Sequence, residues 1–291
     1  QAYSENVPLL ILPAGMPLAQ HYKQPTFRSA EVFAPVTKWS ALAHSVQELP
    51  ALLRRAYHLM RSGKSGPVLI ETPVDVFEAK FEGELDYEPV KPVLSAPEGA
   101  AVIEAAKMLL AAKKPLIWAG AGILYAQASE QLIALAELLP APVMTTNPGK
   151  SAIAETHPLA LGASTRSRPR MVSEFMGRAD LVFAIGSSLT RSSFNPPLPE
   201  GKRILHSTNE SADINKDYRA DHALVGDAKL VLKAVTEEVK RQMSGDSSAR
   251  LKALKSDIAS VKKSWVADWS PHLDSDEVPI NQYRVLRDLM A

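Results

Sequence analysis

The sequence contains no cysteine. That removes disulfides, thiolate zinc sites and cysteine nucleophiles, and it fits a reducing, cytoplasmic setting. A surplus of charge is also missing. Against 33 Lys and Arg stand 32 Asp and Glu, a formal net charge of +1, so nothing in the balance asks for nucleic acid or an anionic membrane surface. No apolar run approaches the roughly 20 residues that cross a bilayer. The longest, VPLLILPAGM and LIWAGAGIL, are strand-sized and broken by Pro or Gly. The opening QAYSENVPLLIL has neither a basic region nor a cleavage site, so it does not read as a signal peptide. Lacking Met and running almost directly into an apolar strand, it reads as a fragment or processed chain. The seven histidines show no HxxxH or HxH spacing, and no GxSxG, Walker loop or HExxH occurs, so no metal-ligand set is read from the sequence.

What is present is the material of a folded α/β protein. Hydrophobic residues at 46% and charged residues at 22% argue against disorder, and 291 residues suffice for one large domain or two ordinary ones. Val7–Leu12 is a continuous apolar run, the pattern of a strand buried on both faces. Glu48–Met60 places Leu49, Leu52, Leu53, Ala56, Tyr57 and Met60 on one helical face, and Pro67–Thr72 is the next buried strand. Strand, helix, strand in this order predicts a parallel-sheet unit. The acidic, proline-bearing stretch Phe81–Pro97 reads as a linker. Alternation then resumes with a helix at Glu98–Ala112, a strand at Pro115–Ala119, a helix at Ser129–Leu139 and a strand at Pro142–Thr146. A helix at Arg170–Gly177, strands at Ala179–Gly186 and Arg203–His206, and a helix at Asp227–Lys240 complete it. The expected fold class is therefore α/β with two parallel-sheet units, the second a complete doubly wound, Rossmann-like (DHS-like) domain of about six strands. Lys240–Ser264 reads as a helical or linker segment.

Three turns carry candidate chemistry. Gly120-Ala121-Gly122 follows a strand and precedes a helix, where a parallel sheet can bind phosphate on backbone N–H groups. Tyr125 stands where the dinucleotide fingerprint needs a third Gly, and Thr145 and Thr146 occupy the place of its acidic residue, so the turn is either a generic ligand-facing turn or simply a tight one. Gly186 and Ser187 lie at the C-terminal end of a predicted strand, again either ligand-facing or merely small. Gly162-Ala163-Ser164-Thr165-Arg166-Ser167-Arg168-Pro169-Arg170 interleaves three arginines with hydroxyls before a helix. It could hold a phosphate or carboxylate, or be a solvated basic loop. The candidate cofactor-binding residues are thus Gly120, Gly122, Gly162, Arg166, Gly186 and Ser187. His206 reads as a structural residue, and Asp213, Asp217, Asp221 and Asp227 mostly as caps and solvated charges. No acid, base and nucleophile assemble, so no catalytic residue is assigned.

Taken together these segments resemble the thiamine diphosphate-dependent enzymes of the acetolactate synthase and 2-oxoacid decarboxylase type. Gly63–Val76, GKSGPVLIETPVDV, resembles that family's GRPGPVLVDIPKDV segment, and Pro35–Trp39 its PVTKW. In the second unit PLIWAGAG, PAPVMTTNPGKSAIAETHPLALG, ADLVFAIGSSL and YRADHALVGDAKLVL resemble successive segments of the family's central domain. The matches run in order over about Val7–Leu232.

The resemblance implies a domain plan. Residues 1–80 are the C-terminal part of a pyrimidine-binding domain, 81–97 a linker, 98–243 the central domain, and 244–291 a linker and the start of a diphosphate-binding domain. It implies thiamine diphosphate and Mg²⁺ in the intact enzyme, a 2-oxoacid or related acyl donor as substrate, lyase or transferase chemistry, and a homodimer or homotetramer. The family's catalytic Glu would lie before Gln1 and its Mg²⁺- and diphosphate-holding segment after about Pro279, so the chain alone is expected to be catalytically incomplete. His21–Phe27, HYKQPTF, departs from the DAFQE-type segment of acetolactate synthases, and Leu205–Glu210 departs from IHIDID. These departures weaken the case for a biosynthetic acetolactate synthase and for bound FAD, leaving FAD or ADP in the central domain an open matter. The alternative is a non-catalytic nucleotide-binding or regulatory module derived from the central domain.

Overall fold

A computed structural model describes residues 1–192 and 197–290. The chain divides into two compact units, Gln1–Ser95 and Ala96–Ala291.

The first unit is organised around one strand. β1 (Leu10–Ile11), β2 (Ala14–Gly15), β3 (Trp39–Leu42) and β4 (Val68–Pro73) form a parallel sheet in which the other three all pair with β4. Every residue of β4 is buried, as an unbroken VLIETP run at the centre of a parallel sheet should be. Three helices accompany it: α1 (Ser29–Val32), α2 (Leu49–Arg61) and α3 (Val74–Glu78). The stripe expected on α2 forms as read: Ala56 and Met60 join the core while Leu49, Leu52, Leu53 and Tyr57 pack against it. The strand expected at Val7–Leu12 is corrected. Only Leu10–Ile11 and Ala14–Gly15 pair, and Leu9 and Leu12 are 45% and 55% exposed. Pro8 and Pro13 supply no N–H to a ladder, which limits each piece to two residues. β3 carries little signal in the sequence, because Trp39-Ser40-Ala41-Leu42 is short and mixed in polarity.

The second unit is a six-stranded, all-parallel sheet of β5 (Pro115–Ala119), β6 (Val143–Thr145), β7 (Ala160–Ala163), β8 (Leu181–Ile185), β9 (Arg203–Thr208) and β10 (His222–Val225). Its order is β10-β9-β8-β5-β6-β7. The chain winds outward from β5 through β6 and β7, then returns to β8 and winds the other way. This is the doubly wound plan, and it puts the topological switch point between the C-terminal ends of β5 and β8. Its helices are α4 (Gly99–Ala111), α5 (Gly122–Tyr125), α6 (Ser129–Leu138), α7 (Arg170–Arg178), α8 (Ala228–Gln242), α9 (Ser248–Leu273) and α10 (Gln282–Met290). β5 and β8 are buried along their whole length.

The segment that reads as helical or linker is helix α9, 26 residues long. Ile258 is buried, and Leu251, Leu254, Val261 and Trp265 pack on the same core. Those five positions recur at helical spacing among lysines, serines and alanines, which hid the stripe. Arg178 and Lys255 fasten α9 to its neighbours through Asp257 (2.8 Å) and Glu137 (2.9 Å). α10 rests on α9 through Trp269 and Tyr283, whose rings meet edge to face at 4.7 Å.

Candidate functional site

In doubly wound sheets ligands gather outside the C-terminal strand ends, and all six candidate residues lie at that edge of the second unit. Gly120 and Gly122 follow β5, Gly162 lies in β7 with Arg166 in the turn behind it, and Gly186 and Ser187 follow β8. The structure brings four of them together. The Gly120 N–H donates to the Ile185 carbonyl and the Gly122 N–H to the Gly186 carbonyl, each at 2.8 Å. The two turns touch backbone to backbone. A Cβ at Gly120 would lie 2.2 Å from the Gly186 carbonyl oxygen, and one at Gly122 2.7 Å from the Gly186 Cα. Gly149, behind β6, joins the same cluster: a Cβ there would meet the Ala119 carbonyl oxygen at 2.7 Å.

These glycines are therefore required by close packing at the switch point. The N–H groups of Gly120, Gly122, Ile123 and Leu124 are all donated within the two turns, the last two to Gly120 and Ala121, which leaves this turn few amides for a phosphate group.

The turns beyond β8 and β9 are cross-linked by polar side chains. Lys216 Nζ donates to Thr190 Oγ1 (2.8 Å) and pairs with Asp213 Oδ1 (3.3 Å), and Thr208 Oγ1 donates to Asp213 Oδ2 (3.4 Å). The reading of Asp213 as a solvated charge is corrected: it is buried and paired with Lys216. The others act on backbone amides: Asp217 accepts from Arg191 N, Asp221 from Ile204 N, and Asp227 caps α8 through Lys229 N and Leu230 N.

His206 is buried in β9 and donates through Nε2 to the Ser187 carbonyl at 2.8 Å. Burial pushes its imidazole below the ordinary histidine value; the Ser187 carbonyl and Asp213 pull the other way, and Lys216 reinforces the fall. A folded-state value below the unfolded one means that the unfolded chain takes up the proton first. Stability is then unaffected above about pH 7 and falls as pH drops through about 6.5 toward the lower folded value. Thermal melts at pH 7.5 and 5.5 check this. The midpoint falls further in the wild type than in His206→Gln, which keeps an N–H for Ser187 without the titration.

The three arginines of the β7–α7 turn have separate fates. Arg168 Nε donates to Ser173 Oγ (2.8 Å), and Arg170 binds Ser264 Oγ (3.2 Å) and Asp268, tying α7 to α9. Arg166 is exposed, and among the described residues it has no hydrogen-bond or ion-pair partner. Gly162 has a positive φ of 98°, and a Cβ there would meet the Pro169 ring at 3.0 Å, so it too serves packing. Among the described residues no three His, Asp or Glu side chains converge on a possible metal site. No helix among them is long and apolar enough to cross a membrane.

Residues 102–235 match the family model described as the thiamine pyrophosphate enzyme central domain. Among curated proteins, a glyoxylate carboligase of Escherichia coli O157:H7 is 30% identical over 99% of this chain and 49% of its own length. A protein named "probable acetolactate synthase large subunit" from Methanococcus aeolicus is 28% identical over 100% of this chain and 50% of its own. Among solved structures, benzoylformate decarboxylase from Polynucleobacter necessarius superposes with a TM-score of 0.70 at 27% identity, covering 84% of this chain and 47% of that one. The chain spans about half the length of the curated relatives it matches. The central-domain match lies within the six-stranded unit, and the alignments run on through the four-stranded one, so the chain belongs to the thiamine diphosphate-dependent enzyme family.

Proposed function

We propose that the protein carrying this chain is a thiamine diphosphate- and Mg²⁺-dependent lyase or transferase acting on a 2-oxoacid or a related acyl donor. The observation that carries this reading is the similarity across both units, in order, to relatives named as a carboligase and a synthase. In this reading residues 1–80 are the C-terminal part of a pyrimidine-binding domain, 98–243 the central domain, and 244–291 the approach to a diphosphate-binding domain. The enzyme works as a homo-oligomer, and a cytoplasmic setting suits its cysteine-free composition.

The chain's own contribution is positioning. The glycine contact between the β5 and β8 turns and the Lys216–Asp213 link hold the strand-end loops of the central unit in one arrangement. No acid, base or metal ligand of the reaction is assigned to it.

Carbon dioxide release by the whole protein from a panel of 2-oxoacids, with both cofactors supplied, tests the reading. Turnover of at least one is expected. No turnover of any favours the non-catalytic module instead.

A further inference from the structure

A carboxylate inside a small parallel sheet needs a reason, because buried acids are normally paired with a cation. Glu71 in β4 is buried, and among the described residues it has no ion-pair partner. Its contacts are with backbone instead. Side chains alternate along the strand, so Val68 and Ile70, which join the core with α2, point one way and Glu71 the other. On that side Oε2 accepts the Ala30 N–H of α1 at 2.8 Å. Oε1 lies against Gly15 at the end of β2, where a Cβ would sit 2.7 Å from it.

The two contacts bracket one piece of chain. Gly15 stands just before segment 16–29 and Ala30 just after it, so a single carboxylate holds both ends of the segment. Ser40 Oγ in β3 adds a second tether by donating to the Ala30 carbonyl at 2.7 Å. Within the segment only the 3-10 turn Leu18–Gln20 and the first residue of α1 are regular. This is a surface loop with its ends drawn together, a form that frequently carries function.

Its position points the same way. The loop leaves the C-terminal end of a strand in a parallel sheet, the edge at which such sheets take ligands. Met16, Tyr22 and Phe27 are exposed along it. Large apolar side chains held outward on a strand-end loop mark a contact surface rather than a core.

We infer that Glu71 is a positioning residue: its carboxylate clasps the two ends of segment 16–29 and so fixes the wall that this loop gives to the substrate site of the whole protein. The inference rests on the reading of that protein as a 2-oxoacid enzyme. Glu71 acts through Gly15 and Ala30 and touches no reacting atom.

Two measurements on the whole protein, made below its melting transition, test it: kcat and KM for the preferred 2-oxoacid, and the rate of tryptic cleavage after Lys23, which is exposed in the loop. Glu71→Ala is expected to raise KM about tenfold with kcat nearly unchanged, and to speed cleavage after Lys23 about tenfold. Ser40→Ala loses only the second tether and should move both readouts the same way, by about threefold. Glu71→Gln keeps an acceptor for Ala30 and should restore both. Ile70→Ala opens a cavity on the opposite face of the same strand and is the stability control. It should melt lower yet leave KM and cleavage after Lys23 as in the wild type. If Glu71→Ala does not fold, Ser40→Ala and Glu71→Gln decide the matter.

The inference is overturned if Ile70→Ala reproduces the effects of the Glu71 or Ser40 variants, since the role is then structural. Unchanged KM and cleavage in the tether variants overturn it too, as does faster cleavage without any change in KM. Absence of turnover in the wild type would instead strike the functional reading, and with it the substrate wall, while cleavage after Lys23 still reports on the clasp.

Discussion

Gly120→Ala is expected to destabilise the six-stranded unit by about 3 kcal/mol or more, the upper end of what overpacking costs. The new methyl group would lie 2.2 Å from the Gly186 carbonyl oxygen and 2.7 Å from its carbon. The obstacle is backbone, so no side chain can turn away. Relief requires the β5 and β8 turns to separate, which breaks the 2.8 Å bonds from Gly120 to Ile185 and from Gly122 to Gly186. Those bonds extend the pairing of two fully buried central strands, so the cost passes directly into the core. Gly99→Ala is the control. It stands at the first position of α4 with nothing within 4 Å of its Cβ position, and alanine there should be neutral or stabilising by about 0.5 kcal/mol. Denaturant melts of the two variants separate a packing role from a general glycine effect. Equal stability would remove the packing explanation.

The second large effect belongs to Glu71. This carboxylate sits in β4, 2% exposed, with Oε2 accepting the Ala30 N–H at 2.8 Å. Ser40 Oγ donates to the Ala30 carbonyl at 2.7 Å, so residue 30 is held at both its polar groups. Glu71→Ala leaves the half-buried Ala30 amide without its partner and opens a cavity, together about 2–4 kcal/mol. The unit has little to absorb this, because its buried apolar residues are Ala43, Ala56, Met60, Val68, Leu69, Ile70 and Val76. Glu71→Gln keeps an acceptor for Ala30 and should cost less than half as much. A Cβ at Gly15 would meet Glu71 Oε1 at 2.7 Å, so Gly15→Ala is costly in the wild type and tolerated beside Glu71→Ala. The double-mutant cycle should therefore be strongly non-additive; additive costs would contradict this packing.

These two residues show what the sequence discloses and what it withholds. β5 is legible to its ends, since Pro115–Ala119 is an apolar run between two lysines and a glycine. Helix α2 is legible because its stripe has one period throughout. β7 and β10 escaped: Ala-Leu-Gly-Ala has no β-branched residue, and His-Ala-Leu-Val is too short to separate from its polar surroundings. Val7–Leu12 misled in the other direction, because hydrophobicity alone does not say how much of a run finds a partner. The candidate turns were located correctly at the sheet edge, but their roles depend on distant chain. Gly120 is explained by Gly186, 66 residues away, and Arg170 by Asp268, 98 residues away. In the sequence Ser164 is one hydroxyl among several in its loop; burial without a partner distinguishes it.

The most direct test of the functional assignment is cofactor add-back. The whole protein is depleted of thiamine diphosphate and divalent metal by chelation and dialysis, then assayed for carbon dioxide release from the 2-oxoacid it prefers. Activity should be lost on depletion and return only when thiamine diphosphate and Mg²⁺ are supplied together. Turnover that survives depletion, or that returns with neither cofactor present, would contradict the assignment.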